Sequence, residues 1–235
     1  MSQQRPRRGS PRPVPAEPEE ITTPVSWGRQ TWIALLGMAV LVAAVIGAGV
    51  LVQKAIQPPV PRALASCVTS TQIAPHEFLA PQPICITDTQ RLQATISTTQ
   101  GDVVIQLAPE VAPVTVNNFV VLATHGYYTG LNFWKSEDWV VQGGDPRGDG
   151  RGGPGYNLPD ETTATPWAPG AVGMARVPGG AGAVNGSQFF ILKAAWPGSG
   201  PTMVYNRFGT VISGLDKVQL LTSNDTITSI TIQVS

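Results

Sequence analysis

The sequence predicts a mainly β domain closed into a barrel, preceded by a single transmembrane helix. Three observations carry that prediction. The C-terminal half holds many short apolar runs separated by Gly and Pro, with few helical signals. Two of those runs alternate strictly between apolar and polar residues, as half-buried strands do. Upstream, Trp32 to Val52 is a run of 21 residues without a charge. At ~1.5 Å per residue such a helix spans about 30 Å, the thickness of a bilayer core.

The first segment, residues 1–30, has six prolines before Trp27 and no apolar periodicity, and it reads as a disordered Pro/Arg-rich tail. The span follows in 31–52, with Trp27 and Trp32 as interface anchors at its start. Arg5, Arg7, Arg8, Arg12 and Arg29 precede it, which orients the tail toward the cytoplasm and the rest of the chain outside, as a single-pass protein of the cell membrane. Ala39, Ala43 and Gly47 recur at four-residue spacing, so one face of this helix has room for a membrane-protein partner as well as for lipid.

Residues 53–88 read as a Pro-rich extracytoplasmic stalk containing Cys67 and Cys85. Outside the cytoplasm an even pair of cysteines suggests a disulfide. A second reading stands beside it, because Leu64-Ala65-Ser66-Cys67 resembles a lipoprotein processing box.

From 89 to 235 lies the folded domain. Leu92, Ala94 and Ile96 alternate, as do Val103, Ile105 and Leu107, and Gln100-Gly101-Asp102 reads as the turn of that hairpin. Pro113 opens a helix in which Val116, Phe119, Val120 and Ala123 share a face, and Gly126 supplies the stop. Further strands are expected at 139–141, 171–175, 189–192, 208–212 and 227–234.

Composition narrows the chemistry. Lys plus Arg and Asp plus Glu number 15 each, and only 13% of residues are charged. A neutral, charge-poor chain argues against nucleic-acid binding, which needs a basic face. Two cysteines and two histidines are too few soft ligands for a structural metal, so no metal site is expected. His76 and His125 belong to no recognisable catalytic triad. Gly148-x-Gly150-x-x-Gly153 spells a dinucleotide fingerprint, but Pro154 follows where a helix would have to open. Asp145-x-x-x-Asp149-Gly150 half-resembles a calcium loop, with Arg147 at a ligand position and no closing Glu. What remains is a neutral, aromatic-rich surface. Such a surface suits rotation about an X–Pro bond, which breaks no σ-bond and faces a barrier of about 18–20 kcal/mol from lost amide resonance.

At this point the chain resembles a known family, the cyclophilin-type peptidyl-prolyl isomerases. The match runs through Gly101–Leu107, Ala112–Phe119, Gly126–Phe133, Val141-Gln-Gly-Gly-Asp-Pro146, Gly150–Tyr156, Gly173-Met-Ala-Arg176, Asn185-Gly-Ser-Gln-Phe-Phe-Ile191 and Phe208-Gly209. The resemblance implies an eight-stranded antiparallel barrel with two capping helices that binds proline-containing polypeptides in an outer groove, without a cofactor. It implies substrate contacts from Phe133, Trp139, Val140, Gln142, Ala175, Arg176, Gln188, Phe190 and Tyr205. Phe190 would floor the proline pocket and Gln142 would hydrogen-bond the substrate backbone. The sequence departs from the family pattern at Phe133-Trp134-Lys135, where Phe-His-Arg is usual, and the loop on to Gln142 is one residue shorter. Lys135 therefore stands where the family's catalytic arginine does. Lysine keeps the charge but loses the planar fork. Two functions follow: an isomerase assisting the folding of extracytoplasmic or membrane proteins, or a catalytically weakened proline-peptide-binding or scaffold subunit of a membrane complex. The position of Trp196 relative to the pocket stays open, because the stretch between Phe190 and Phe208 is about two residues longer than the family spacing.

Overall fold

The computed structural model describes Met38 and residues 60–161, 166–177, 182–197 and 205–234. The chain divides into two units, Met1–Lys54 and Ala55–Ser235. Among the described residues no helix is long and apolar enough to cross a membrane. The expected span, its Ala39/Ala43/Gly47 face and the tail lie outside the described residues, Met38 apart.

A short 3-10 helix, Arg62–Val68, opens the second unit, followed by the small strands β1 (Gln72–Ala74) and β2 (Glu77–Phe78). Then come β3 (Leu92–Thr98), β4 (Gly101–Leu107), helix α1 (Pro113–Thr124), β5 (Lys135–Ser136), β6 (Val140–Gly143) and β7 (Asn157–Leu158). The chain ends in β8 (Ala171–Arg176), β9 (Val184–Leu192), β10 (Arg207–Ser213), helix α2 (Leu215–Leu220) and β11 (Ile227–Val234). All strands from β3 onward form one curled antiparallel sheet in the order β11-β3-β4-β10-β8-β9-β6-β5, with β7 paired to β9. The sheet has nine strands rather than the expected eight. Among the described residues its ends meet through a short bridge: Gly130 N–H donates to Ile227 O at 2.7 Å, Ile227 N–H to Leu131 O at 2.9 Å and Phe133 N–H to Asp225 O at 3.1 Å.

The first hairpin follows the alternation in its sequence. Leu92, Ala94 and Ile96 are buried along β3, and Val103, Ile105 and Leu107 along β4, so each strand turns every second residue inward. Its turn lies one residue earlier than the sequence suggests. Thr98 pairs with Gly101, which leaves Thr99-Gln100 as a two-residue loop and draws Gly101 and Asp102 into β4. Gly101 meets the tight turn with φ 117°, a region open to glycine.

Helix α1 starts at Pro113 and has no side-chain cap of its own. Glu161 caps it from a distant loop: its carboxylate accepts the backbone N–H groups of Val114 and Thr115, both at 2.8 Å, and the Thr115 hydroxyl at 2.7 Å. A carboxylate there also suits the helix dipole. At the other end Gly126 (φ 69°) lets its own N–H reach Ala123 O and the Tyr127 N–H reach Leu122 O, a Schellman motif. Phe119 turns inward and packs with Tyr128, Phe189 and Phe208, ring centroids 5.1–5.8 Å apart.

Of residues 53–88, expected as a stalk outside the domain, those that the structure describes belong to the folded unit. The described part, 60–88, is a strap laid over α1. Leu64, Phe78 and Ile86 are buried in the same core as the barrel residues. Asn117 of α1 donates to Pro83 O at 2.9 Å and accepts the Cys85 N–H at 2.8 Å. Gln82 donates to the Tyr156 hydroxyl at 3.0 Å, and Phe78 N–H donates to Pro154 O at 2.9 Å. Covered by the barrel on one side and the strap on the other, α1 is buried continuously from Thr115 to Ala123. A disulfide between Cys67 and Cys85 ties the strap's two ends together, so the cysteines belong to the folded unit.

Candidate active site

The outer face of the sheet carries a row of side chains fixed by strand register. Lys135 pairs with Gln142, Gln142 with Phe190, and Phe190 with Gly173, so the four stand side by side across β5, β6, β9 and β8. Directly paired residues project to the same face. Their neighbours in sequence, Val141 and Phe189, point into the core and are buried.

The shortened loop after Lys135 becomes a tight hairpin. Glu137 and Val140 exchange backbone hydrogen bonds at 2.8 and 3.3 Å, leaving Asp138-Trp139 as a two-residue turn. Lys193 braces it: its backbone N–H donates to Trp139 O at 2.9 Å, and its ammonium donates to the Ser136 hydroxyl at 2.8 Å and to Leu221 O at 2.7 Å. Burial pulls the Lys193 pKa down, against the raising influence of Asp138 and Asp225. The hairpin keeps Lys135 in register with Gln142 and places Glu137 two residues on, on the same face. Lys135 Nζ and Glu137 Oε1 lie 3.0 Å apart, both side chains about half exposed. The contact with the Lys135 ammonium lowers the Glu137 carboxyl pKa.

Gln142 is oriented from behind. Its amide nitrogen donates to Gln188 Oε1 at 2.9 Å, and Gln188 donates onward to Gly152 O at 2.8 Å. Asn185 holds the same carbonyl at 2.9 Å and accepts the backbone N–H groups of Ser187 and Gln188. The carbonyl itself sits in a loop wound around Asp145, whose carboxylate accepts the N–H groups of Arg147, Asp149 and Gly150. The half-calcium, half-dinucleotide pattern of this loop is thus spent on its own backbone. A glutamine amide has two N–H donors, so one stays available to a peptide carbonyl.

Beside Gln142 lies an apolar cluster separate from the barrel core: Val140, Ala171, Ala175, Phe190 and Leu192, rimmed by Trp139, Trp167, Trp196 and Tyr205. Trp139 and Trp196 meet edge to face at 4.7 Å, and Tyr205 meets Phe190 edge to face at 5.2 Å. The structure therefore gathers Lys135, Trp139, Val140, Gln142, Ala175, Gln188, Phe190 and Tyr205 on one face, and it brings Trp196 to them. Arg176, at the end of β8, ion-pairs with Asp160. Phe133 does not join the groove, which corrects the sequence expectation. It is fully buried in the main core, with its ring packed against Gly143, because residues 130–133 are drawn inward to bridge β11. Trp134 packs on Gly150 instead of lining the groove. Sequence reasoning missed Trp167, a lone aromatic between Pro166 and Pro169 with no periodicity around it. Among the described residues no cluster of His, Cys, Asp or Glu could hold a metal ion.

Comparison with known proteins agrees with this arrangement. Residues 93–234 match the family model for cyclophilin type peptidyl-prolyl cis-trans isomerase/CLD. Peptidyl-prolyl cis-trans isomerase B of Bacillus subtilis is 39% identical over 131 residues, which cover 54% of this chain and 88% of that protein. A peptidyl-prolyl cis-trans isomerase of Helicobacter pylori is 36% identical over 141 residues, covering 58% and 84%. Among solved structures, a cyclophilin type isomerase of Cryptosporidium parvum superposes with a TM-score of 0.54 at 28% identity, covering 62% of this chain and 99% of that one. The same protein in the presence of the dipeptide Ala-Pro superposes with a TM-score of 0.53 at 29% identity, covering 61% and 99%. The chain belongs to the cyclophilin-type peptidyl-prolyl cis-trans isomerase family, and its enzyme class is that of a peptidyl-prolyl cis-trans isomerase.

Proposed function

We propose that this family member isomerises X–Pro bonds of extracytoplasmic or membrane proteins from a tether formed by residues 32–52, with its tail in the cytoplasm. The observation that carries the chemical part is the register row Lys135–Gln142–Phe190 on the outer face. Phe190, Val140 and Tyr205 hold the proline ring, while Gln142 orients the preceding carbonyl through its second amide N–H. Lys135 donates toward the imide nitrogen as it twists out of conjugation and becomes basic. Donors that meet charge only in the twisted state lower the barrier rather than merely tightening binding. No cofactor enters these steps. The tether is supported by the uncharged run in the sequence, and the outer compartment by the Cys67–Cys85 disulfide, a bond that persists in oxidising surroundings.

One observation favours the second reading, a weakened proline-peptide-binding or scaffold subunit: Lys135 is engaged by Glu137. Exchange spectroscopy on an Ala-Pro peptide with the full chain in detergent decides between them. Accelerated cis–trans exchange supports the isomerase; peptide binding with unchanged exchange supports the scaffold. For the location, protease added outside spheroplasts is expected to digest residues 55–235 and spare an N-terminal tag. Protection of the domain would overturn the topology.

A further inference from the structure

Phe190, read above as the floor for the proline ring, is only 4% exposed. The ring that covers it is Trp167, whose indole lies 5.4 Å from the Phe190 centroid at 23°, a stacked pair. Trp167 comes from the turn leading into β8 and reaches the groove over Gly173, the residue paired with Phe190. A Cβ at Gly173 would stand 2.5 Å from Trp167 Cη2 and 2.8 Å from Phe190 Cζ, so the stack depends on glycine there. Trp196 and Tyr205 border the same ring at 6.2 and 5.2 Å.

The geometry points to Trp167 as a specificity-determining residue that occupies the proline site of the free enzyme and yields it to substrate. This rests on the assignment of Phe190 as the proline floor. On this inference the proline ring takes the face of Phe190 that the indole now covers, so whatever holds the indole down is subtracted from peptide affinity. A peptide with an aromatic residue beside its proline gives the displaced indole a new ring to stack on. One with glycine there does not. The enzyme therefore prefers proline flanked by an aromatic residue.

The test uses the full chain and its Trp167→Ala and Trp167→Phe variants, titrated calorimetrically with Ala-Ala-Pro-Gly and Ala-Ala-Pro-Phe. Removing the occupant is expected to tighten Ala-Ala-Pro-Gly by about two- to twelvefold, the worth of one stacked aromatic pair. The advantage of Ala-Ala-Pro-Phe shrinks in the same variant, KM for the glycine peptide falls, and Trp167→Phe lies between. Equal or weaker binding of Ala-Ala-Pro-Gly by Trp167→Ala would overturn the inference, because Trp167 would then be a wall of the site or a bystander. Calorimetry reads affinity whether or not turnover is fast. If no form of the chain binds either peptide, it is the proline-site assignment that fails. If the parent chain binds and Trp167→Ala gains nothing, only the occupancy of the site by Trp167 fails.

Discussion

Replacing both Cys67 and Cys85 by serine separates a strap from a stalk. The bond closes a loop of sequence separation 18. In the chain-entropy model a loop of that size restricts the unfolded chain by about 3 kcal/mol at 25 °C. For a domain of this size each kcal/mol moves the melting midpoint by roughly 2–4 °C, so the double variant should melt roughly 6–12 °C lower. It should still fold at 25 °C. Leu64, Phe78 and Ile86 remain available to anchor the strap, each contributing about 1.5–3 kcal/mol when buried. The assay is thermal unfolding of the full chain by circular dichroism, with and without reductant. Reductant should lower the midpoint of the parent to that of the double variant and leave the double variant where it is. A midpoint unchanged to within about 2 °C on breaking the bond would mean that residues 60–88 do not hold to α1, and the corrected domain boundary would fall.

Other perturbations test other links. Asp225 joins the β3–β4 turn to the loop before β11 through hydrogen bonds from Thr99, Gln100 and Thr222. Burial pushes its pKa up, but these bonds outweigh it and hold the carboxyl at about 2, below its ordinary value. A depressed pKa contributes stability above the unfolded value near 4 that is lost as pH falls toward about 2. Asp225→Asn should therefore cost on the order of 1–2 kcal/mol at pH 7 and little at pH 2, read from urea unfolding at both pH values. Gln188→Ala removes the acceptor that orients Gln142 and should lower kcat/KM about tenfold, the worth of one well-placed hydrogen bond. Phe189→Ala, in the core, should cost about 3–5 kcal/mol of stability. Phe190→Ala, one residue on but facing outward, should chiefly raise KM.

How far the sequence discloses this structure depends on whether a residue's role is local. Leu92–Ile96 and Val103–Leu107 announce a hairpin because period-two burial is written in consecutive residues, and Pro113 and Gly126 bracket a helix for equally local reasons. The strap is different. Its anchors Leu64, Phe78 and Ile86 are scattered singly among prolines, and they make sense only against the outer side of α1, which no local pattern reveals. Most of the groove was legible through resemblance: Gln142, Gln188 and Phe190 fall on one face because the strand register that spaces them is the family's own. Phe133 was misplaced because motif adjacency to Lys135 does not say which way the chain twists before β5. Trp167 was invisible because a residue from a Pro-flanked turn enters the groove only by crossing Gly173.

The most direct test is prolyl exchange catalysed by the full chain alongside its Lys135→Ala and Lys135→Arg variants. If Lys135 donates to the twisting imide from its place opposite Gln142, the Ala variant should lose about 10²–10³ in kcat, the usual loss on removing a donor to developing charge. The Arg variant, which restores the planar fork, should match or exceed the parent. Exchange as fast in Lys135→Ala as in the parent would contradict the assignment of the donor and, with it, the catalytic reading of the row.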